Sequence, residues 1–218
     1  MKFFIDTADI NEIQKIDETG MLDGVTTNPS IISKSKRNFL EVIKEISTIL
    51  GDRPVSAECI SLDYNTMMKE AEKLLTLGDN ITIKVPLTVD GLKSCKSLSD
   101  IGVNVNVTLC FSANQALLAA KAGAKYISPF VGRHDDWGID GMDLIADICD
   151  IYDNYDFTTE VLVSSARHPQ HLLSSAKIGA DVITIPPKVF HQLYKHPYTD
   201  LGLEAFEKDW AETKQSIL

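Results

Sequence analysis

Cysteine, arginine and aromatic residues are all scarce in this chain of 218 residues, and each scarcity narrows what the chain can be. Cysteine occurs four times (Cys59, Cys95, Cys110, Cys149), never as Cys-x-x-Cys and always within apolar segments. That argues against a disulfide scaffold or a zinc ribbon and reads as reduced core thiols of a cytoplasmic protein. Basic residues are outnumbered 21 to 31, a formal charge of −10, and they form no local stripe. Such a field repels phosphate backbones, so nucleic acid is not an expected partner. No apolar run approaches the ~20 residues that span a bilayer. The apolar start Phe3-Phe4-Ile5 stops at Asp6, too short for a signal-peptide core, so no membrane partner is expected either. The same negative field would repel a small anionic substrate. An anion site here must be built from a few placed cations.

What the chain does have is rhythm. Short runs rich in Val, Ile and Thr alternate with amphipathic segments. The runs are Phe3–Asp6, Gly24–Thr27, Val55–Ile60, Ile81–Val85, Val103–Leu109, Tyr126–Val131, Thr159–Ser164 and Asp181–Ile185. Between them, stripes such as Ile10, Ile13, Ile16 (after Asp9 as N-cap) and Phe39, Val42, Ile43, Ile46, Leu50 have helical spacing. Several segments stop at glycine (Gly20, Gly51, Gly78, Gly123, Gly179), the signal of a left-handed C-cap. Eight strand–helix units without a linker predict one α/β domain over residues 1–218, a single (β/α)8 TIM barrel. A doubly wound open sheet is the rival, but Asp6-Thr7-Ala8-Asp9 after the first strand lacks its glycine-rich loop. The tail 199–218, with Leu201, Leu203, Phe206 and Trp210, reads as an additional C-terminal helix packed on the barrel or on a neighbouring subunit.

Barrels of this kind place their chemistry at the C-terminal ends of the strands. There this chain puts polar groups where a strand should be apolar: Asp6, Thr26, Asn28, Glu58, Lys84, Asn106, Thr108, Ser128, Arg133, Ser165 and Arg167. Lys84 interrupts Ile81-Thr82-Ile83-Lys84-Val85-Pro86, a segment with high strand propensity. Taking an amine out of water favours its neutral form, the one that attacks a carbonyl. A lysine snorkelling from the rim, or paired with a buried acid, is the plainer reading. Asp6 and Glu58 on neighbouring strands tip the balance toward Schiff-base chemistry, which needs groups to carry protons. Neither is needed as a helix cap, since Asp9 and Asp63 are placed for that. Of only four arginines, Arg133 and Arg167 follow the sixth and seventh strands, where this fold commonly holds a phosphate. Pairing with Asp135 or Asp136 is the alternative. His168 and His171 lack an evident third ligand and read as surface imidazoles at a helix start, so no metal is expected. The acidic stretch from Asp140 to Asp156 reads as a solvated helix face, and Met67-Met68 as core.

Phe-Ile-Asp-Thr-Ala at 4–8, Gly-Val-Thr-Thr-Asn-Pro-Ser at 24–30, Ile-Lys-Val-Pro at 83–86, Asn-Val-Thr-Leu at 106–109 and Ser-Pro-Phe-Val-Gly-Arg at 128–133 resemble the transaldolases. The short length is similar to the small subfamily that includes fructose-6-phosphate aldolase. The likeness implies transfer of a dihydroxyacetone unit between sugar phosphates with no cofactor, as in the non-oxidative pentose phosphate pathway. It implies Lys84 as the Schiff-base lysine, Asp6 as the base at the C4 hydroxyl, and Glu58 with Thr108 holding a proton-shuttling water. Thr26, Asn28, Asn106 and Ser128 would contact the sugar; Arg133, Ser165 and Arg167 would hold its phosphate. In the aldolase branch the residue at the Glu58 position is typically glutamine and that at Phe130 tyrosine, so both positions favour the transferase over the lyase. A phenyl ring at Phe130 cannot hydrogen-bond a water. Ala166 stands where the family often has an aromatic residue. The resemblance also implies a homo-oligomeric ring, a pentamer or decamer. A barrel that only binds sugar phosphates is the third reading.

Overall fold

The computed structural model describes residues 1–218. In chain order the elements are β1 (Lys2–Asp6), α1 (Ile10–Asp17), β2 (Gly24–Thr26), α2 (Pro29–Ser35), α3 (Phe39–Leu50), β3 (Val55–Glu58) and α4 (Tyr64–Leu75). There follow β4 (Ile81–Pro86), α5 (Val89–Asp100), β5 (Val105–Cys110), α6 (Ala113–Lys121), β6 (Tyr126–Pro129), α7 (Val131–Asp135) and α8 (Gly141–Asn154). The chain ends with β7 (Glu160–Val163), α9 (Pro169–Ile178), β8 (Val182–Ile185), α10 (Pro187–Phe190) and α11 (Pro197–Thr213). The eight strands are parallel and close into a barrel in sequence order, β8 pairing with β1. This is the TIM barrel that the alternating runs predict.

Most helices start where a short polar side chain can take up their free N–H groups. Asp9, Asn28, Asn38, Asp63, Thr88, Ser112 and Asp140 all cap in this way. Asp9 and Asp63 thereby leave Asp6 and Glu58 free of capping duty. The glycine stops are less uniform than their recurrence suggests. Gly179 is a left-handed C-cap, and Gly51, Gly20 and Gly123 have positive φ at or just beyond a helix end. Gly78 does not; it is held small by a close approach, since a Cβ there would lie 2.0 Å from Ser47 Oγ.

Strand side chains alternate, and the two faces have opposite chemistry. The outward residues (Ile5, Val25, Ile83, Val107, Ile127, Val163, Ile183) are fully buried in one core with the helices. Each contributes roughly 1.5–3 kcal/mol of burial. The inward residues are apolar only near the N-terminal end, where Phe4, Tyr126, Leu162 and Val182 form a separate plug. The Phe4 and Tyr126 rings meet edge-on at 5.9 Å. Gly24 lies beside Phe4 in register, and a Cβ there would come within 2.7 Å of that ring. Above the plug the lining is polar.

The four cysteines are free thiols; burial pushes Cys59, Cys95 and Cys149 up to about 12 and Cys110 to about 11, which leaves them inert. Met67 is core as expected. The tail forms the expected helix but leaves its own barrel uncovered. It is helical over Pro197–Thr213, yet none of its residues is buried, so α11 does not pack on its own barrel. Its apolar side chains, Phe206 at 72% exposure among them, face outward.

Candidate active site

At the C-terminal end of the barrel lies a cavity of ≈ 360 Å³. It is lined by Asp6, Thr26, Asn28, Glu58, Lys84, Thr108, Ser128, Phe130, Arg133 and Ser165, every expected site residue except Asn106 and Arg167. Lys84 stands on β4 in register with Glu58 on β3 and Asn106 on β5. Only 5% exposed, its Nζ donates to the Thr27 carbonyl at 3.0 Å and lies 3.0 Å from Glu58 Oε2. The amine is thus paired and set into the cavity lining.

Asp6 ends β1 beside it. Burial pushes its carboxyl above the usual carboxylate value of 3.8, against the opposing pull of the Lys84 charge and the Thr26 hydroxyl. The Thr26 hydroxyl donates to Asp6 Oδ1 at 2.7 Å and sits 2.7 Å from the Thr184 hydroxyl. Because Thr26 spends its proton on Asp6, Thr184 must donate to Thr26, and the three groups form one directed chain. Thr184 also lines the cavity and was not singled out from sequence. Threonine is an ordinary strand residue, so no breach of pattern marks it.

Thr108 Oγ1 is a buried side-chain polar atom with no hydrogen-bond partner. It shares the cavity wall with Glu58. An orphaned buried hydroxyl of this kind marks a place for a ligand or a water. Asn28 has two uses: Oδ1 caps α2 by accepting from the Ile31 N–H at 2.9 Å, which leaves its amide N–H groups for the cavity. Asn106 lies below the floor, fully buried. It accepts from Ser128 at 2.7 Å and donates to Ser56 at 3.2 Å, so it holds Ser128 rather than facing the cavity.

Two odd-numbered residues break the inward–outward alternation, and both do so through a left-handed backbone. Leu109 (φ 61°) lies within a register shift between Val107 and Cys110, and Ser165 (φ 59°) follows β7. Both turn into the cavity wall. Non-glycine residues in this region carry strain, and their clustering at a mouth is characteristic of functional sites. Phe130 braces the wall edge-on against Phe111, centroids 5.7 Å apart. Ala166, where an aromatic residue is common in the resembling family, is buried in the outer core and forms no part of the wall.

At the rim the arginines meet acids, as the plainer reading allowed. Asp136 accepts from both terminal nitrogens of Arg167 (2.5 and 2.7 Å) and is 3.7 Å from Arg133. The histidines correct the sequence reading: His168 is exposed, but His171 is buried and meets Asp135 at 2.8 Å. Asp135, His168 and His171 bring ligand atoms within 4.8 Å of one another. The hydrogen bonds argue against a cation there. His171 Nδ1 accepts the Arg167 N–H at 3.1 Å, so Nε2 must keep the proton it gives to Asp135 and has no lone pair to offer.

No helix is long and apolar enough to cross a membrane. The family model for transaldolase/fructose-6-phosphate aldolase matches residues 3–217. A probable transaldolase of Rhizorhabdus wittichii is 66% identical over 218 residues, all of both chains. Probable transaldolases of Sphingopyxis alaskensis (65%) and Erythrobacter litoralis (64%) also match over the full length of both chains. With a buried strand lysine paired to a carboxylate in a barrel, and matched end to end by such relatives, this chain is a member of the transaldolase/fructose-6-phosphate aldolase family.

Proposed function

We propose that the protein is a transaldolase, moving a dihydroxyacetone unit from a ketose phosphate to an aldose phosphate through a Schiff base on Lys84. The observation that carries this reading is the Lys84 amine, held 3.0 Å from both the Thr27 carbonyl and Glu58 on the floor of a polar cavity. The neutral amine attacks the donor carbonyl, and the carbinolamine loses water as the iminium forms. Glu58 and Thr108, whose hydroxyl is unpartnered in the shared cavity wall, hold the water that ferries those protons. Asp6 then takes the C4 hydroxyl proton, the C3–C4 bond breaks, and its electrons pass to the iminium to give an enamine. The aldose phosphate leaves. An acceptor aldehyde enters, the enamine carbon attacks it, Asp6 returns the proton, and hydrolysis frees Lys84. The raised affinity of Asp6 for its proton suits it to both directions. Asn28 and Ser128 orient the three-carbon unit, and Arg133 and Ser165, with Arg167 beside them, take the phosphate. The reaction belongs to the non-oxidative pentose phosphate pathway in the cytoplasm, and the protein works as a homo-oligomer.

Incubation with fructose 6-phosphate, with and without erythrose 4-phosphate, tests this by coupled detection of glyceraldehyde 3-phosphate. Product is expected only when the acceptor is present. Sustained product without it makes the protein a fructose-6-phosphate aldolase, a lyase, a reading that Glu58 and Phe130 count against. Silence in both, with Lys84→Met still binding sugar phosphate as the unaltered protein does, leaves a binding barrel.

A further inference from the structure

At the rim beside Ser165, the two arginines assigned to the phosphate meet a carboxylate, Asp136, that the proposed reaction does not use. Asp136 sits just past α7 and grips the Arg167 guanidinium as a parallel fork, while the same carboxylate lies 3.7 Å from Arg133. The remaining arginines are engaged far off, Arg37 with Glu45 and Arg53 with Asp17. One carboxylate therefore serves both arginines at this end of the barrel. Gly132 lets the guanidinium lie close: a Cβ there would be 2.6 Å from Arg167 Nε and 3.0 Å from Ser165 Oγ. Arg167 thus borders the cavity wall without lining the cavity. Its backbone is pinned independently, since the Arg167 N–H donates to His171, and Asp135 is occupied by His171 and the Gly141 N–H. The side chain can change partners while its Cα stays in place.

We propose that Asp136 is a specificity-determining residue: an internal anion that holds the arginine pair until a phosphate dianion displaces it. The inference rests on the assignment of Arg133 and Arg167 to the phosphate. A dianion brings more charge and more acceptor oxygens than a carboxylate, so it outcompetes Asp136. The displaced Asp136 is 39% exposed and returns to water at little cost. A ligand with a single carboxylate gains nothing over the resident one. The latch therefore admits sugar phosphates and turns away sugar acids of the same length.

Inorganic phosphate and acetate serve as probes on the full-length protein, as inhibitors of exchange between fructose 6-phosphate and erythrose 4-phosphate. Asp136→Asn is expected to tighten phosphate inhibition about fivefold, the scale of one exposed ion pair, and to make acetate inhibitory. The KM for erythrose 4-phosphate should fall in step, with kcat and the KM for unphosphorylated erythrose unchanged. Asp136→Glu, which keeps the charge, should restore the wild-type pattern. Phosphate inhibition that stays the same or weakens in Asp136→Asn overturns the proposal, because Asp136 would then orient Arg167 instead of competing for it. Equal impairment with both acceptors also overturns it, as a purely structural role would. If phosphate inhibits neither protein and Arg133→Ala leaves the KM for erythrose 4-phosphate unaltered, the latch falls together with the phosphate assignment beneath it.

Discussion

Asp6 shows how a single side chain trades stability for chemistry. Burial raises its affinity for a proton above the ordinary 3.8. The folded protein then binds that proton more tightly than the unfolded chain. Stability is full below pH ~3.8 and falls as the pH rises through the raised folded value. At neutral pH the charged Asp6 is thus a cost to the fold. Asp6→Asn should lower kcat by roughly 10²–10⁴-fold while raising Tm at pH 7, by about 2–4 °C per kcal/mol recovered. The gain should shrink as thermal melts are taken to acid pH; a lower Tm at pH 7 would show that the attraction to Lys84 outweighs desolvation. Residues like Asp6, Glu58 and Lys84 were legible in the sequence because charge inside a strand violates its pattern. Thr184 violates nothing, and Leu109 looks like core; only a left-handed backbone, which no residue type at that position announces, turns it into the mouth. His171 was misread because its partner Asp135 arrives from another unit of the barrel.

Among the elements, β2 is the shortest strand, three residues, and it depends on what its neighbour does. Its Gly24 exists to make room for the Phe4 ring, itself fully buried and fixed against Tyr126. Gly24→Ala should destabilise the protein by about 1–3 kcal/mol, measured by chemical denaturation, with the KM of any surviving folded enzyme unchanged. An unaltered midpoint would mean that the plug can yield. All eight strands were legible to within a few residues because their outward faces are continuous with the helix core. The division of the β2–β3 and β6–β7 connections into two helices each was not, since α2 and α7 are too short to show a period.

For the molecule as a whole, α11 is the element without a home. Seventeen residues long, it displays Leu203, Phe206 and Trp210 at helical spacing and buries none of them. A second copy of the chain is the cover that the family resemblance implies. Light scattering should find an assembly for the full chain and a monomer after removal of residues 197–218, with the barrel still folded because it owes α11 no core contacts. A monomeric full chain would refute this. That an extra helix exists could be read from its apolar spacing; where it docks could not, because nothing in one chain distinguishes a surface for the barrel from a surface for a neighbour.

The two-faced strands carry a last consequence, for heredity rather than for chemistry. By accident of its connecting lengths, this chain faces its even-numbered strand residues inward on every strand, from Phe4, Thr26 and Glu58 through Lys84, Asn106 and Ser128 to Leu162 and Thr184. The odd-numbered ones enter the outer core, until the register shift in β5 turns Leu109 to the cavity and Cys110 to the core. Above the apolar plug, random substitutions along a strand thus fall alternately on two kinds of phenotype, lost turnover at one codon and lost abundance at the next. Selection acting on either trait can move through its own set of positions and leave the other set almost untouched.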